Sequence, residues 1–156
     1  GTVGRLAVRG VTGCRYLADP ERQRHYVQNG WNMTGDAYLM DADGYFWYQA
    51  RTDDMIISSG YNIAGPEVES VLLEHPLVRE CAVIGTPDPR RTNLVTAIIV
   101  LNDPTAASDE LVTELQDYVK AQIAPYKYPR RVEFVESLPR TETGKLQRFK
   151  LRDERS

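Results

Sequence analysis

The chain has 156 residues, 42% hydrophobic and 26% charged, with a formal net charge of −3 at pH 7. This fits a globular chain of one domain, or of one small domain plus part of another, and the acidic balance sets aside a general nucleic-acid binder. No apolar run approaches the roughly 20 residues of a membrane helix, no secretory leader is visible, and Cys14 and Cys81 offer neither zinc spacing nor a disulfide framework, so a cytoplasmic protein with no membrane partner and no metal site is expected.

Thr2 to Arg9 alternates well enough for a strand, with Val3, Leu6 and Val8 apolar. Asp19-Pro20-Glu21 predicts a helix start, with Asp as cap and Pro at the first helical position, and the helix is expected to run to about Gln28 before Asn29-Gly30. Trp31 to Asp36 reads as extended. Ala37 to Met40 and Tyr45 to Ala50 read as two strands joined by the turn Asp41-Ala42-Asp43-Gly44. That turn lacks the ligand spacing of an EF-hand loop. His25 and His75 lie too far apart in sequence to suggest a ligand pair.

The stretch Asp53 to Glu69 organises the rest. An acidic pair precedes the apolar run Met55 to Ile57, Ser58-Ser59-Gly60 breaks that run, and Gly65-Pro66-Glu67 opens a helix expected to reach about Glu74. Beyond it, Val78 to Ile84 and Thr96 to Leu101 are nearly continuous in apolar residues, as strands covered on both faces are. Gly85 to Asn93, with two prolines, reads as a polar loop. Ser108 caps a predicted helix to about Ile123, with Asp109 and Glu110 in its first turn and Leu111, Leu115 and Val119 as its apolar stripe. Arg131 to Val135 is a further strand, Ser137 to Lys145 is irregular, and the charged last residues are expected to be mobile. The fold class is α+β: a small C-terminal domain, residues 53–156, of about three strands with two packed helices. A mostly β segment, residues 1–52, precedes it with few clustered apolar residues.

Residues 120–152 hold nine Lys or Arg against three Glu, a basic concentration on an otherwise acidic chain. It reads either as a solvated face or as a local site for a phosphate-bearing ligand. Taken alone, Lys145 is a solvated lysine, Asp36 beside Gly35 a turn residue, Arg51 a charge at a strand end and Gly60 a turn glycine. Gly144-Lys145 is not a P-loop, because Leu146 stands in the Ser/Thr position and the upstream glycine is missing.

Together these pieces acquire a meaning that none has singly. Thr34-Gly35-Asp36, the run Arg51-Thr52-Asp53-Asp54-Met55-Ile56-Ile57-Ser58-Ser59-Gly60-Tyr61-Asn62-Ile63, and Pro139-Arg140-Thr141-Glu142-Thr143-Gly144-Lys145 occur in order. In that order they resemble the C-terminal portion of the adenylate-forming superfamily of acyl- and aryl-CoA synthetases, peptide-synthetase adenylation domains and luciferases. Gly13-Cys14-Arg15-Tyr16-Leu17 and Gly30-Trp31-Asn32 narrow the resemblance to benzoate and 2-aminobenzoate CoA ligases.

The resemblance implies that a carboxylate attacks the α-phosphate of ATP and that the thiol of coenzyme A then displaces AMP. Lys145 would be the catalytic cation, Asp36 would hold the ribose hydroxyls and Arg51 would reach the nucleotide. Asp53 would be the hinge on which the small domain turns between the two half-reactions. In the second pose Gly60 and Tyr61 would border the pantetheine tunnel, with Tyr126, Tyr128 and Arg130 as an aromatic and basic platform for the coenzyme A nucleotide. Asn62 stands where many relatives carry Arg, and Tyr128 stands where some carry a basic residue. The substrates implied are ATP, coenzyme A and an aromatic carboxylate, the magnesium of ATP being bound through an N-terminal domain that would be the main partner. The family's phosphate-binding loop and acyl-pocket segment are not in this sequence, so the chain alone is expected to lack ligase activity. An adenylation domain loading a carrier protein, and a stand-alone binding module, are the alternatives.

Overall fold

The computed structural model describes residues 2–155, and the chain divides after Asp53 into two compact units. In the first unit the long strand β3 (Trp31–Met40) pairs antiparallel with β1 (Val3–Val8), with the two-residue β2 (Val27–Gln28) and with β4 (Phe46–Arg51). The extended piece and the following strand expected from sequence are thus one strand. Helix α1 (Pro20–Tyr26) is capped by Asp19, whose carboxylate accepts the Arg22 N–H at 2.9 Å. It ends two residues short of Gln28 because Val27 and Gln28 pair across the Asn29-Gly30 turn with Asn32 and Trp31. The β3–β4 turn is built on Asp41: Oδ1 accepts the N–H groups of Asp43 and Tyr45 at 3.0 and 2.9 Å, and Oδ2 accepts the Trp47 indole N–H at 2.7 Å. These donors, that of Trp47 first, hold the Asp41 carboxyl below the usual carboxylate range.

The second unit begins with the hairpin β5 (Met55–Ser58) and β6 (Tyr61–Ala64). Ser59 and Gly60 form its two-residue turn at φ 51° and 82°, the left-handed geometry that a type I′ hairpin requires. Helix α2 (Gly65–Leu73) follows, with Pro66 in its first turn. Strands β7 (Val78–Asp88) and β8 (Thr92–Leu101) pair antiparallel, and β9 (Arg131–Phe134) pairs parallel with β8. Helix α3 (Asp109–Gln122) crosses between them, with the Ser108 hydroxyl accepting the Leu111 N–H at 3.2 Å.

The sheet is covered on both faces, which explains its continuous apolar strands. On one face Cys81, Val83, Val95, Ala97, Ile99 and Leu101 pack with Val68, Val71 and Leu72 of α2 and Leu111, Leu115 and Val119 of α3. On the other, Ala82, Ile84, Ile98 and Val100 pack with Leu138 and Leu151. Leu151 lies on α4 (Arg148–Asp153), a helix in the charged last residues expected to be mobile. Gly85 to Asn93 likewise differs from the expected loop: the ladder continues through Gly85↔Val95 and Pro87↔Asn93 to Asp88↔Thr92. Pro87 is tolerated because β7 is an edge strand of this sheet. Among the described residues no helix is long and apolar enough to cross a membrane.

Candidate functional site

In the first unit Asp36 and Arg51 are register partners across β3 and β4, and their side chains meet, Arg51 Nη1 to Asp36 Oδ1 at 2.8 Å. Gly35 permits this. A Cβ there would stand 2.8 Å from Arg51 Nη2, and its φ of +79° suits the break in the β1–β3 register, where Arg5 pairs with Ala37 and Ala7 with Met33. The Thr34 hydroxyl fixes the strand locally, donating to Leu6 O at 3.1 Å and accepting the Asp36 N–H at 3.2 Å. Arg51 and Asp53 share the wall of a cleft of about 320 Å³ with Arg5, Tyr26 and Thr34. Asp36 is not one of the residues lining this cleft, but a carboxylate beside a guanidinium can accept from paired hydroxyls while the cation faces a phosphate.

In the second unit Lys145 sits on a closed hairpin. Arg140 bridges to Leu146, the Thr141 N–H donates to Lys145 O at 2.9 Å, and the Lys145 N–H donates to the Thr141 hydroxyl at 3.0 Å. Arg140 braces the loop from below, donating to Gly144 O at 2.8 Å and to Glu80 Oε2 on β7 at 2.6 Å. The backbone is therefore held while the Lys145 side chain is exposed. Among the described residues, no acceptor lies within hydrogen-bonding distance of its Nζ.

The Gly60 turn is tied to the β7–β8 tip. Arg91 Nη1 donates to the Ser59 hydroxyl at 3.0 Å, the Ser59 N–H to Arg91 O at 2.9 Å, and the Ser58 hydroxyl to Asn93 O at 2.7 Å. A Cβ on Gly60 would meet nothing within 4 Å in this chain, so its local reason is the turn. Tyr61, next to it, stacks on Tyr126 with ring centroids 4.3 Å apart at 19°. Lys127 pairs with Glu67 at 2.7 Å and lies 5.8 Å from the Tyr126 ring centre. Of the expected platform, Arg130 Nη1 donates to Tyr126 O at 3.4 Å. Arg130 sits 4.7 Å over Tyr128, Lys120 lies 4.5 Å from the centre of that same ring, and Tyr128 packs against the core. The ring available for stacking is the Tyr61–Tyr126 pair, both members being partly exposed.

Sequence reasoning missed a buried charge cluster. Glu69 Oε1 accepts the Val83 N–H at 2.8 Å and Arg148 Nε at 3.0 Å, and Glu69 Oε2 takes Arg148 Nη2 at 2.6 Å. Asp54 receives Arg148 Nη1 at 3.6 Å and Arg152 Nη1 at 3.2 Å. Burial pulls the Arg148 pKa down, but the Glu69 hydrogen bond and the Glu69 and Asp54 charges more than offset it, leaving the pKa raised. The only signal in the sequence was an acid inside the apolar stretch of α2.

A sequence model described as the AMP-binding enzyme C-terminal domain matches residues 67–145. The chain belongs to this family. Among relatives of this AMP-binding C-terminal domain chain, an uncharacterized acyl-CoA ligase, YtcI, of Bacillus subtilis is 48% identical over 97% of the chain and 29% of its own length. The mouse mitochondrial acyl-coenzyme A synthetase ACSM4 is 52% identical over 89% of the chain and 24% of its own length. The crystal structure of the anthranilate CoA ligase AuaEII in complex with anthranoyl-AMP superposes with a TM-score of 0.83 at 43% identity, over 100% of the chain and 30% of that protein. The chain thus spans 24–30% of the length of these relatives.

Proposed function

We propose that this chain is the C-terminal part of an ATP-dependent acyl- or aryl-CoA ligase. It would serve two steps in turn: carboxylate and ATP give acyl-AMP and pyrophosphate, then the coenzyme A thiol releases AMP. The observation that carries this reading is Lys145, exposed on a braced hairpin with no acceptor for its Nζ among the described residues. Joining a carboxylate to a phosphate brings two anions together, and a cation aimed at the developing charge lowers that barrier. A lysine supplies a compact charge that can bridge both groups.

Asp36 and Arg51 are proposed to hold the ribose and the phosphates of the nucleotide, magnesium being carried with ATP by the N-terminal domain. Asp53 is proposed as the hinge, residues 1–52 as the tail of that N-terminal domain, and residues 53–156 as the mobile domain. Gly60 and Tyr61 would border the coenzyme A thiol arm and the Tyr61–Tyr126 stack would take its adenine, with Arg130 contributing charge nearby. The sequence motifs and the likeness to an anthranilate CoA ligase support an aromatic carboxylate such as benzoate or 2-aminobenzoate as the substrate.

The test joins this chain to the N-terminal body of an anthranilate CoA ligase and follows anthranoyl-AMP formation. Lys145→Ala is expected to slow that step by roughly 10²–10³-fold, while coenzyme A release of AMP from supplied anthranoyl-AMP is much less affected. Equal adenylation by Lys145→Ala and the parent fusion would overturn the reading. So would AMP release above background by the unfused 156-residue chain.

A further inference from the structure

We propose that Arg148 is a positioning residue: through one buried cluster it ties Asp54, at the junction of the two units, to the Lys145 hairpin. The purpose of this coupling rests on the ligase reading, but the contacts that make it do not. Arg148 follows Lys145 by three residues and opens α4. The strand pair Arg140↔Leu146 and the Gln147 N–H to Pro139 O bond at 2.9 Å close the hairpin base immediately before it. Its guanidinium forks onto both oxygens of Glu69, and the remaining nitrogen pairs with Asp54 Oδ2 at 3.6 Å. One turn later on the same helix face, Arg152 takes the other Asp54 oxygen at 3.2 Å.

Glu69 is in turn fixed to β7 by the Val83 N–H at 2.8 Å. The three central side chains are only 20%, 10% and 15% exposed for Arg148, Glu69 and Asp54. A cluster of this kind is a poor source of stability compared with apolar packing of the same volume, so its directional fork needs another reason. That reason is mechanical. Asp54 is the first residue of the second unit, and two arginines of one helix clamp it. A backbone rotation at the junction must therefore take place on the N-terminal side of Asp54. The same helix carries the base of the Lys145 hairpin, so hairpin and Asp54 move as one body.

Hydrogen exchange of the 156-residue chain, without substrates, tests this independently of any ligase activity. The bonded amides of Thr141, Gly144 and Lys145 report on the hairpin, and the β5 amides that follow Asp54 report on the junction. Arg148→Met is expected to speed exchange about tenfold or more in both segments together, while the β7–β8 ladder keeps its protection. Arg148→Lys is expected to behave like Arg148→Met, because a point charge cannot span two carboxylates. Asp54→Asn, which leaves the Arg148–Glu69 fork in place, serves if Arg148→Met fails to fold; it too is expected to loosen both segments. Parent-like exchange in Arg148→Lys, or faster exchange confined to one segment in Asp54→Asn, would overturn the proposal.

Discussion

Cys81 donates its thiol to Glu69 O at 3.5 Å inside the core, and burial, with the Glu69 charge adding, pushes its pKa up to about 12. In the unfolded chain a thiol ionises near about 8.5. The folded value is the higher, so the contribution of the neutral thiol is fully present below the unfolded pKa. It is lost as pH rises from about 8.5 towards 12. Replacing Cys81 with Ala is expected to flatten the loss of stability across that alkaline window, read as denaturation midpoints against pH. Iodoacetamide near neutral pH should label exposed Cys14 alone, with a second adduct appearing only in denaturant. Two adducts on the native chain, counted by intact mass, would contradict the burial argument. Two glycines make a second contrast. A Cβ on Gly65 would stand 2.7 Å from the Val83 backbone oxygen, whereas Gly60 has open space and only its φ to defend. Gly65→Ala is therefore expected to destabilise by about 1–3 kcal/mol through backbone displacement, and Gly60→Ala by about 1 kcal/mol through strain.

At the scale of elements, the β5–β6 turn and the segment after α3 meet in the Tyr61–Tyr126 stack, which offers an exposed aromatic surface beside Lys127. If the coenzyme A adenine rests there, Tyr126→Ala should weaken coenzyme A binding by about 1–3 kcal/mol, measured by calorimetry on the fused ligase. An unchanged affinity would favour a carrier-bound thiol as the acceptor. The stack was illegible in the sequence because its members are far apart along the chain, and their meeting depends on how α3 returns to the sheet. The same holds for Glu69 and Arg148, 79 residues apart. What was legible was local or repeated. Helix α3 announced itself through Ser108, its acidic first turn and the Leu111–Leu115–Val119 stripe, and the covered strands through their unbroken apolar runs. Gly85 to Asn93 misled because pairing register overrode the turn preference of Gly and Pro on an edge strand. Helix α4 has six residues and one buried side chain, Leu151, too little for a period to emerge. Lys145 could be singled out because its motif is contiguous, whereas the Arg140 and Glu80 brace beneath it could not.

The two units differ in how much they bury. Among the described residues, only Ala37 and Ala50 of the first unit belong to the buried apolar set, while the second unit supplies all the rest. The first unit instead exposes Tyr45, Phe46, Trp47 and Tyr48 by 54–68%, an aromatic row along the β3–β4 hairpin. Apolar burial is the main favourable term in folding, at roughly 25 cal/mol per Å², and backbone ordering opposes it in each residue. A sheet with two buried alanines has little to set against that opposition, whereas the second unit has a core on each face of its sheet. The same aromatic row is what a segment finished by a larger domain would present, consistent with the place proposed for residues 1–52. Both tryptophans, Trp31 and Trp47, lie in the first unit, so tryptophan fluorescence reports on it alone while far-ultraviolet circular dichroism reports on the whole chain. In a urea titration of the isolated chain the fluorescence change is expected at lower urea and with a broader transition than the dichroism change. A truncated chain of residues 54–156 should retain the sharp dichroism transition. Coincident curves from both probes would show instead that the first unit draws its stability from the second and that the chain unfolds as one cooperative body.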